Sequence, residues 1–223
     1  MITINKIYDY KKLDKTEDKH GNRLYQSPTG SLLPSVTTIL DATSDKSGLI
    51  AWRARVGDKK ADQISAESCA LGSLMHEHLE NHIQNIPRPS GSNIVRKLAH
   101  NMADQIINRG LIHVSEVWGL ESQLYYDGLY AGTSDLIAKY NDEPAILDYK
   151  TAKKIKSKKD IENYFLQLCA YSMAHNHLFG TNIKQGVIFM VTRDLEFETF
   201  VIAGHEYEKY NDMWLSRLEM FYG

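Results

Sequence analysis

Residues 129–151 read LYAGTSDLIAKYNDEPAILDYKT. Leu129 to Tyr140 has the composition of a strand, Asn141-Asp142-Glu143-Pro144 is a turn, and Ala145 to Thr151 is a second strand. So short a connection makes the two strands antiparallel neighbours. Side chains alternate across a strand. Asp148 and Lys150 therefore share a face with Ile146, while Leu147 and Tyr149 point the other way. An apolar strand that presents an aspartate and a lysine needs a reason, because buried charges are rarely left unpaired. Asp135 repeats the anomaly on the preceding strand, inside Gly132-Thr133-Ser134-Asp135-Leu136-Ile137, and the antiparallel pairing allows Asp135 and Asp148 to sit side by side. Two adjacent carboxylates repel unless a proton or a cation lies between them, and magnesium takes hard oxygen ligands of this kind. The spacing alone leaves two explanations. One is a local Asp–Lys ion pair at a strand end; the other is a metal-ligating carboxylate beside a lysine that acts on water.

Outward from this hairpin the pattern stays regular. Val114 to Tyr126 reads as a strand with an irregularity at Gly119, and Asp127-Gly128 is a turn signal leading into the returning strand. Downstream, Ser157 or Asp160 starts a helix that stops at Gly180. Gln185 to Thr192 and Glu196 to Ala203 are strands, and residues 205–222 form an amphipathic helix with Tyr207, Tyr210, Trp214, Leu218 and Phe221 on its apolar side. Upstream, Asp58 to Gln84 is helical with a stripe of Ile64, Leu71, Leu74, Met75, Leu79 and Ile83. A second helix carries Ile94, Leu98, Met102, Ile106 and Ile107 and ends near Gly110. His76 falls at the border of the first stripe. His78 and His82 are spaced for a two-histidine metal pair, but no third ligand is evident, and partly buried packing histidines are expected. Residues 1–30 are polar, with a strand-like piece at Arg23-Leu24-Tyr25. Ser35 is the expected N-cap of a helix beginning in Pro34-Ser35-Val36-Thr37-Thr38-Ile39-Leu40, and Ser47 precedes another with Leu49, Ile50 and Trp52.

Composition narrows the class. The 223 residues are 43% hydrophobic and 24% charged, ordinary values for one globular domain. The formal net charge of −2 does not announce a polyanion binder, but Lys150, Lys153, Lys154, Lys156, Lys158 and Lys159 crowd one segment. That segment is either a solvated lysine-rich loop or a basic patch beside the carboxylates. Cys69 and Cys169, the two cysteines, are too few for a disulfide framework or a cysteine-held cluster, and both read as buried small hydrophobes. No apolar run spans a membrane, and Met1 to Tyr10 lacks the layout of a secretory signal. A cytoplasmic protein of a bacterial or phage-infected cell is expected, ahead of a mitochondrial one.

The ordered motifs carry a resemblance. Gly132-Thr133-Ser134-Asp135 followed by Asp148-Tyr149-Lys150-Thr151 resembles the core of the PD-(D/E)XK nuclease superfamily, and most of all its RecB-type exonuclease branch. Leu71-Gly72-Ser73-Leu74-Met75-His76 is similar to the branch's upstream helix motif, Glu121 to its strand glutamate, and Gln167-Leu168-Cys169-Ala170-Tyr171 to its Q-x-x-x-Y motif. Pro34 to Leu40, with Trp52-Arg53, resembles the mitochondrial genome maintenance exonuclease family and related phage exonucleases.

The resemblance implies an α/β (α+β) fold, a restriction-endonuclease-like central mixed β-sheet flanked by helices with a helical N-terminal extension. The extension is residues 1–57 and the nuclease core 58–223. It implies one Mg2+ or Mn2+ ion held by His76, Asp135, Asp148 and the carbonyl of Tyr149, with Glu121 as an outer ligand or a partner to a second ion. Lys150 would position or deprotonate water. Glu80 would hydrogen-bond His76. Gln167, Tyr171, Thr151, Ser35, Thr37, Thr38, Lys153 and Lys154 would contact substrate, and Trp52 or Tyr164 would stack bases. The expected partner is DNA, chiefly single-stranded ends, with a replication or recombination protein as a further partner. Three other readings stand beside it: a double-strand-specific phage recombination exonuclease, a catalytically silent DNA-binding fold, and a metalloprotein built on the His76–His82 cluster with zinc, which leaves the paired aspartates unexplained.

Overall fold

The structure is a computed structural model and describes residues 2–223. Its strands and helices run β1 (Thr3–Ile4), β2 (Asp14–Glu17), β3 (Arg23–Gln26), β4 (Leu32–Pro34), α1 (Val36–Ala42), α2 (Ser47–Val56), α3 (Asp58–Ile83) and α4 (Ile94–Arg109). They continue as β5 (Val114–Tyr126), β6 (Tyr130–Tyr140), β7 (Glu143–Ala152), α5 (Glu162–Phe179), β8 (Gln185–Thr192), β9 (Phe197–Ala203) and α6 (Gly204–Tyr222).

Two turns place the central hairpin. Asn141 and Asp142 take φ of 49° and 67°, a region that short polar side chains tolerate better than most. Tyr140 therefore pairs directly with Glu143, and β7 begins earlier than the proline in it suggested. The β5–β6 turn runs over Asp127, Gly128 and Leu129, so β6 starts at Tyr130 rather than Leu129. The irregularity expected at Gly119 is present as a register shift between Val117 and Gly119.

The main sheet has the order β1-β5-β6-β7-β8-β9. The β1–β5 and β7–β8 pairs are parallel and the others antiparallel. A parallel pair needs a crossover, and α5 supplies it between β7 and β8. Helices cover both faces. On one, Ile146 and Ile188 pack with Phe165 of α5, Ile39 of α1 and Trp214 of α6. On the other, Leu147, Val187 and Phe189 pack with Met75 and Leu79 of α3 and Met102 and Ile106 of α4. Strands buried on both faces read as near-continuous apolar runs, so a polar residue in β6 or β7 stands out.

The N-terminal stretch holds the expected helices α1 and α2, and it also carries four short strands. A separate antiparallel sheet of β2, β3 and β4 packs Leu13, Tyr25 and Leu33 against Ala131 of β6. Ser35, bridged to Ala131, caps α1 by accepting the Thr38 N–H at 3.0 Å. This small sheet therefore stands over the half of β6 that leads up to Asp135.

Two expectations fail locally. Cys69 is exposed whereas Cys169 is buried, because Cys69 lies on the solvent side of α3. His82 is exposed while His78 is 1% exposed, since the α3 stripe turns away from His82 in the last turn.

Candidate active site

The β6–β7 ladder pairs Tyr140 with Glu143 through to Leu136 with Leu147, and stops there. The next residues in register are Asp135 and Asp148. Beyond the last pair the strands part, and the Asp135 side chain takes over from the backbone: its Oδ2 accepts the Tyr149 N–H at 3.1 Å. Asp148 lies in the notch with a side chain 4% exposed, and its Oδ2 stands 2.5 Å from Lys150 Nζ. That contact is ionic rather than an aligned hydrogen bond, since the same oxygen has no hydrogen-bond partner among the described residues. Burial first, and then the neighbouring Asp135 charge, raise the Asp148 pKa well above the carboxylate range.

His76 reaches this notch from α3 on the opposite face. Its Nε2 is 3.1 Å from the Tyr149 carbonyl oxygen. Its Nδ1 is 3.7 Å from Asp135 Oδ2 and 3.9 Å from Glu121 Oε1. Burial alone would lower the His76 pKa, but Glu121, Asp135 and Asp148 outweigh it and push it up to about 9. The protein by itself thus holds a proton on His76 as counter-charge to the carboxylates, as a site that wants a cation does. Glu121 gets there by an irregular backbone. It sits opposite Asp135, between the Leu120–Leu136 and Ser122–Ser134 pairs, with φ +47°.

The donor set fits a divalent cation. One ligand atom each from His76, Glu121 and Asp135 lie within 4.8 Å of one another. An octahedral ion with ~2.1 Å bonds keeps adjacent ligands about 3 Å apart, and His76 Nδ1 stands within an ångström of that spacing from Asp135 Oδ2, at 3.7 Å, and from Glu121 Oε1, at 3.9 Å. Glu80 lines a recess of about 590 Å³ with His76, Glu121, Tyr149, Lys150, Thr151 and Tyr164. Burial and the Glu121 charge raise its pKa, but no Glu80–His76 hydrogen bond is found; His76 is engaged by Tyr149, Asp135 and Glu121 instead.

Lys150 has a defined surrounding. Its Nζ donates to Gln167 Oε1 at 3.4 Å, and Gln167 Nε2 donates to Tyr171 OH at 3.1 Å. The Tyr164 ring centroid is 4.8 Å from Nζ. Burial opposes the charged form, yet Asp148 and Asp135 raise its pKa above the ordinary lysine value, so Lys150 is an ammonium. The glycine at 132 has a physical cause in Tyr171. A side chain there would stand 2.6 Å from the Tyr171 ring.

Two further recesses adjoin the one that Glu80 lines. A cleft of about 240 Å³ is lined by Asp135, His76, Glu121, Gln167 and Tyr171 on one wall, and by Arg23, Lys15, Ser35 and Thr37 on the other. Arg23 and Lys15 went unread in the sequence; neither carries a motif, and only the fold of β2 and β3 brings them there. Thr38 does not line this cleft but supports Ser35, its Oγ1 2.7 Å from Ser35 Oγ. On the other side a groove of about 540 Å³ is lined by Trp52, Thr151, Lys153, Lys154, Lys156 and Arg193. Arg193, from the β8–β9 turn, was likewise unread. Lys158 points elsewhere and pairs with Glu206 at 2.7 Å.

The sequence model of the PD-(D/E)XK nuclease superfamily matches residues 49–212. This chain belongs to that superfamily. Mitochondrial genome maintenance exonuclease 1 of Homo sapiens is 26% identical over 205 residues, covering 86% of this chain and 58% of its own length. Its Mus musculus counterpart is 28% identical over 201 residues, covering 85% and 59%. The chain therefore spans under three fifths of the length of these curated relatives. A crystal structure of a provisionally assigned exonuclease from Eubacterium rectale superposes with a TM-score of 0.51 at 15% identity, over 69% of this chain and 64% of that one. At such identity the likeness speaks for the nuclease fold alone. The superfamily match starts within α2, so Arg23, Ser35 and Thr37 lie outside it. Among the described residues, no helix of this nuclease fold is long and apolar enough to cross a membrane.

Proposed function

We propose that this chain is a metal-dependent DNA exonuclease that hydrolyses phosphodiester bonds from single-stranded ends, in DNA replication, repair or recombination. The observation that carries the reading is the notch itself: Asp135 and Asp148 meet where the β6–β7 ladder stops, with Lys150 2.5 Å from Asp148. A local ion pair closing a strand end would not need a second aspartate, a histidine and Glu121 turned toward the same point.

His76, Glu121, Asp135, Asp148 and the Tyr149 carbonyl would hold Mg2+ or Mn2+. When bound, such an ion offsets charge on the phosphate and makes a water more acidic. The Lys150 ammonium donates hydrogen bonds to the attacking water or to a phosphate oxygen, and so stabilises charge that builds in the transition state. Because its proton is held by Asp148 and Asp135, positioning is a better role for it than general base. Gln167 and Tyr171 fix its direction. Ser35, Thr37 and Arg23 on one side, and Thr151, Lys153 and Lys154 on the other, would contact the sugar–phosphate backbone without reading sequence. Thr38 would act through Ser35. Trp52 and Tyr164 would stack bases, which gives affinity for single strands independent of sequence. Lys15, Arg23, Ser35 and Thr37 wall a cleft beside Asp135, which is where a single strand led toward the carboxylates would meet them.

End-labelled single-stranded, double-stranded and circular DNA are incubated with the protein and Mg2+ or Mn2+, with and without chelator, beside Lys150→Ala. The expected result is loss of linear single strands, sparing of circles, and at least a ~100-fold drop in the variant. Preferred loss of duplex ends would instead make it a double-strand-specific recombination exonuclease. DNA binding without cleavage under either ion would make it a silent binding fold.

A further inference from the structure

A second group of metal-ligand side chains lies between α3 and α4, away from the carboxylate notch. His78 and His82 are one turn apart on α3, and His100 and Asp104 are one turn apart on α4. The two helices pack through Met75, Leu79, Met102, Ala103 and Ile106, and this packing brings His78 beside His100, with the exposed His82 one turn further along α3. The His78–His82 spacing gave no third ligand in the sequence; α4 supplies one.

His78 is 1% exposed, yet neither ring nitrogen has a hydrogen-bond partner among the described residues. Buried polar groups are seldom left so, and an ion is one of the recognised explanations. The His78 and His100 rings stand edge to face with centroids 5.1 Å apart. A tetrahedral ion with Zn–N bonds of ~2.0–2.1 Å places the centroids of two ligating imidazoles about 5 Å apart. His100 Nε2 is 3.5 Å from Asp104 Oδ2. Arg88, from the loop joining the helices, lays its guanidinium on the same spot. Nη1 donates to Asp104 Oδ1 at 2.6 Å and Nη2 to the His100 carbonyl oxygen at 3.1 Å, while Nε is buried without a partner. Asp104 is therefore held by Arg88 when no ion is bound, and an ion would have to take the place of that guanidinium.

We propose that His78, His82, His100 and Asp104 form a binding site for a transition-metal cation of the zinc class, distinct from the Asp135 notch. Three imidazoles and one carboxylate are a donor set for Zn2+ or Co2+ rather than Mg2+. The ligands close on the ion as it binds. Arg88 leaves Asp104 and the exposed His82 turns inward, since among the described residues only His76, Glu121 and Asp135 already converge within 4.8 Å. The ion would pin the α3–α4 hairpin, and α3 also carries His76.

Co2+ is the probe, because tetrahedral nitrogen–oxygen coordination gives it strong visible bands that octahedral sites lack. It is titrated in excess Mg2+ into the wild type, Asp135→Asn/Asp148→Asn and His82→Ala/Asp104→Asn. The bands are expected in the first two and lost in the third, with Zn2+ competing them away. Zn2+ at saturation is expected to raise the Tm by roughly 5 °C in the same two proteins and not in the third. Loss of the bands in His78→Gln/His100→Gln, with an unchanged far-ultraviolet circular dichroism spectrum, adds support. His82 is exposed and Asp104 half-buried, so that pair decides if the buried variant does not fold. Absence of bands in the wild type overturns the proposal. So does a band abolished by Asp135→Asn/Asp148→Asn but kept by His82→Ala/Asp104→Asn.

Discussion

The two ends of the β6–β7 pair differ by one register step. At Leu136–Leu147, Ile137–Ile146 and Ala138–Ala145 the strands are fully bonded, and all six side chains are 0% exposed. One step further, Asp135 and Asp148 are also largely buried, but the ladder has ended and their charges repel. The apolar end locks both strands between helices, and this lock holds two carboxylates together that would part if left free. Stability is concentrated on one side of the step, and the strained charge cluster on the other.

The largest expected effect follows from exchanging one residue on each side of that step. Asp135→Asn should lower cleavage by about 10²–10³-fold while leaving urea stability little changed. Leu136→Ala should cost about 2–5 kcal/mol of stability, yet its folded fraction should cleave within a few-fold of the wild type. Paired urea melts and single-turnover rates read both. A Leu136→Ala protein that folds well but has lost cleavage, beside an unstable Asp135→Asn, would erase the division.

A smaller effect sharpens the comparison through pH. Asp148 has a folded-state pKa raised by burial and by Asp135, so the chelated protein loses stability as pH rises from the unfolded value of ~4 toward the raised one. His76, pushed up to about 9, contributes stability that is complete below its unfolded pKa of ~6.5 and fades as pH climbs through the folded value. Both act in the same direction. With chelator present, Tm should fall between about pH 6 and pH 9, and the apolar end contributes nothing to that slope. Asp148→Asn should flatten the lower-pH part of the fall, although it should not cleave. A wild-type Tm that stays level or rises over that range would contradict the assignment of strain to the notch.

How much of this was legible depends on how local each signal is. Asp135, Asp148 and Lys150 could be read because alternation in a strand is a nearest-neighbour property. The turn at Asn141-Asp142 could be read for the same reason. Glu121 is a harder case: the register shift before Gly119 and its own φ of +47° break the strand parity, so only a motif pointed to it. The small sheet was nearly invisible, since the four residues of β2 are all exposed and short polar strands carry no period. Arg23, Lys15 and Arg193 reach the site through tertiary folding alone, with no spacing rule to announce them. The same holds for His100 and Asp104 beside His78. Cys69 was misjudged because a helical stripe fixes which residues are apolar more firmly than where the stripe's edge falls.

The smallest expected effects come from two motif glycines, Gly132 and Gly72, which look alike in sequence and differ in space. A Cβ on Gly132 would stand 2.6 Å from Tyr171 Cε1 and 2.8 Å from its hydroxyl. Gly132→Ala must therefore push the ring, at about 1–3 kcal/mol for an overpacked interior. The push passes to Gln167 and then to Lys150, so cleavage should fall as well as stability. A Cβ on Gly72 would meet only Thr151 Oγ1, at 3.9 Å, an ordinary contact. Alanine favours a helix interior over glycine by about 0.5–1 kcal/mol, so Gly72→Ala should leave cleavage unchanged and raise stability slightly. Equal losses in the two variants would mean that the α3–β7 contact is as tight as the β6–α5 contact, and that Gly72, which lines the recess with His76, Lys150 and Thr151, is itself used at the substrate.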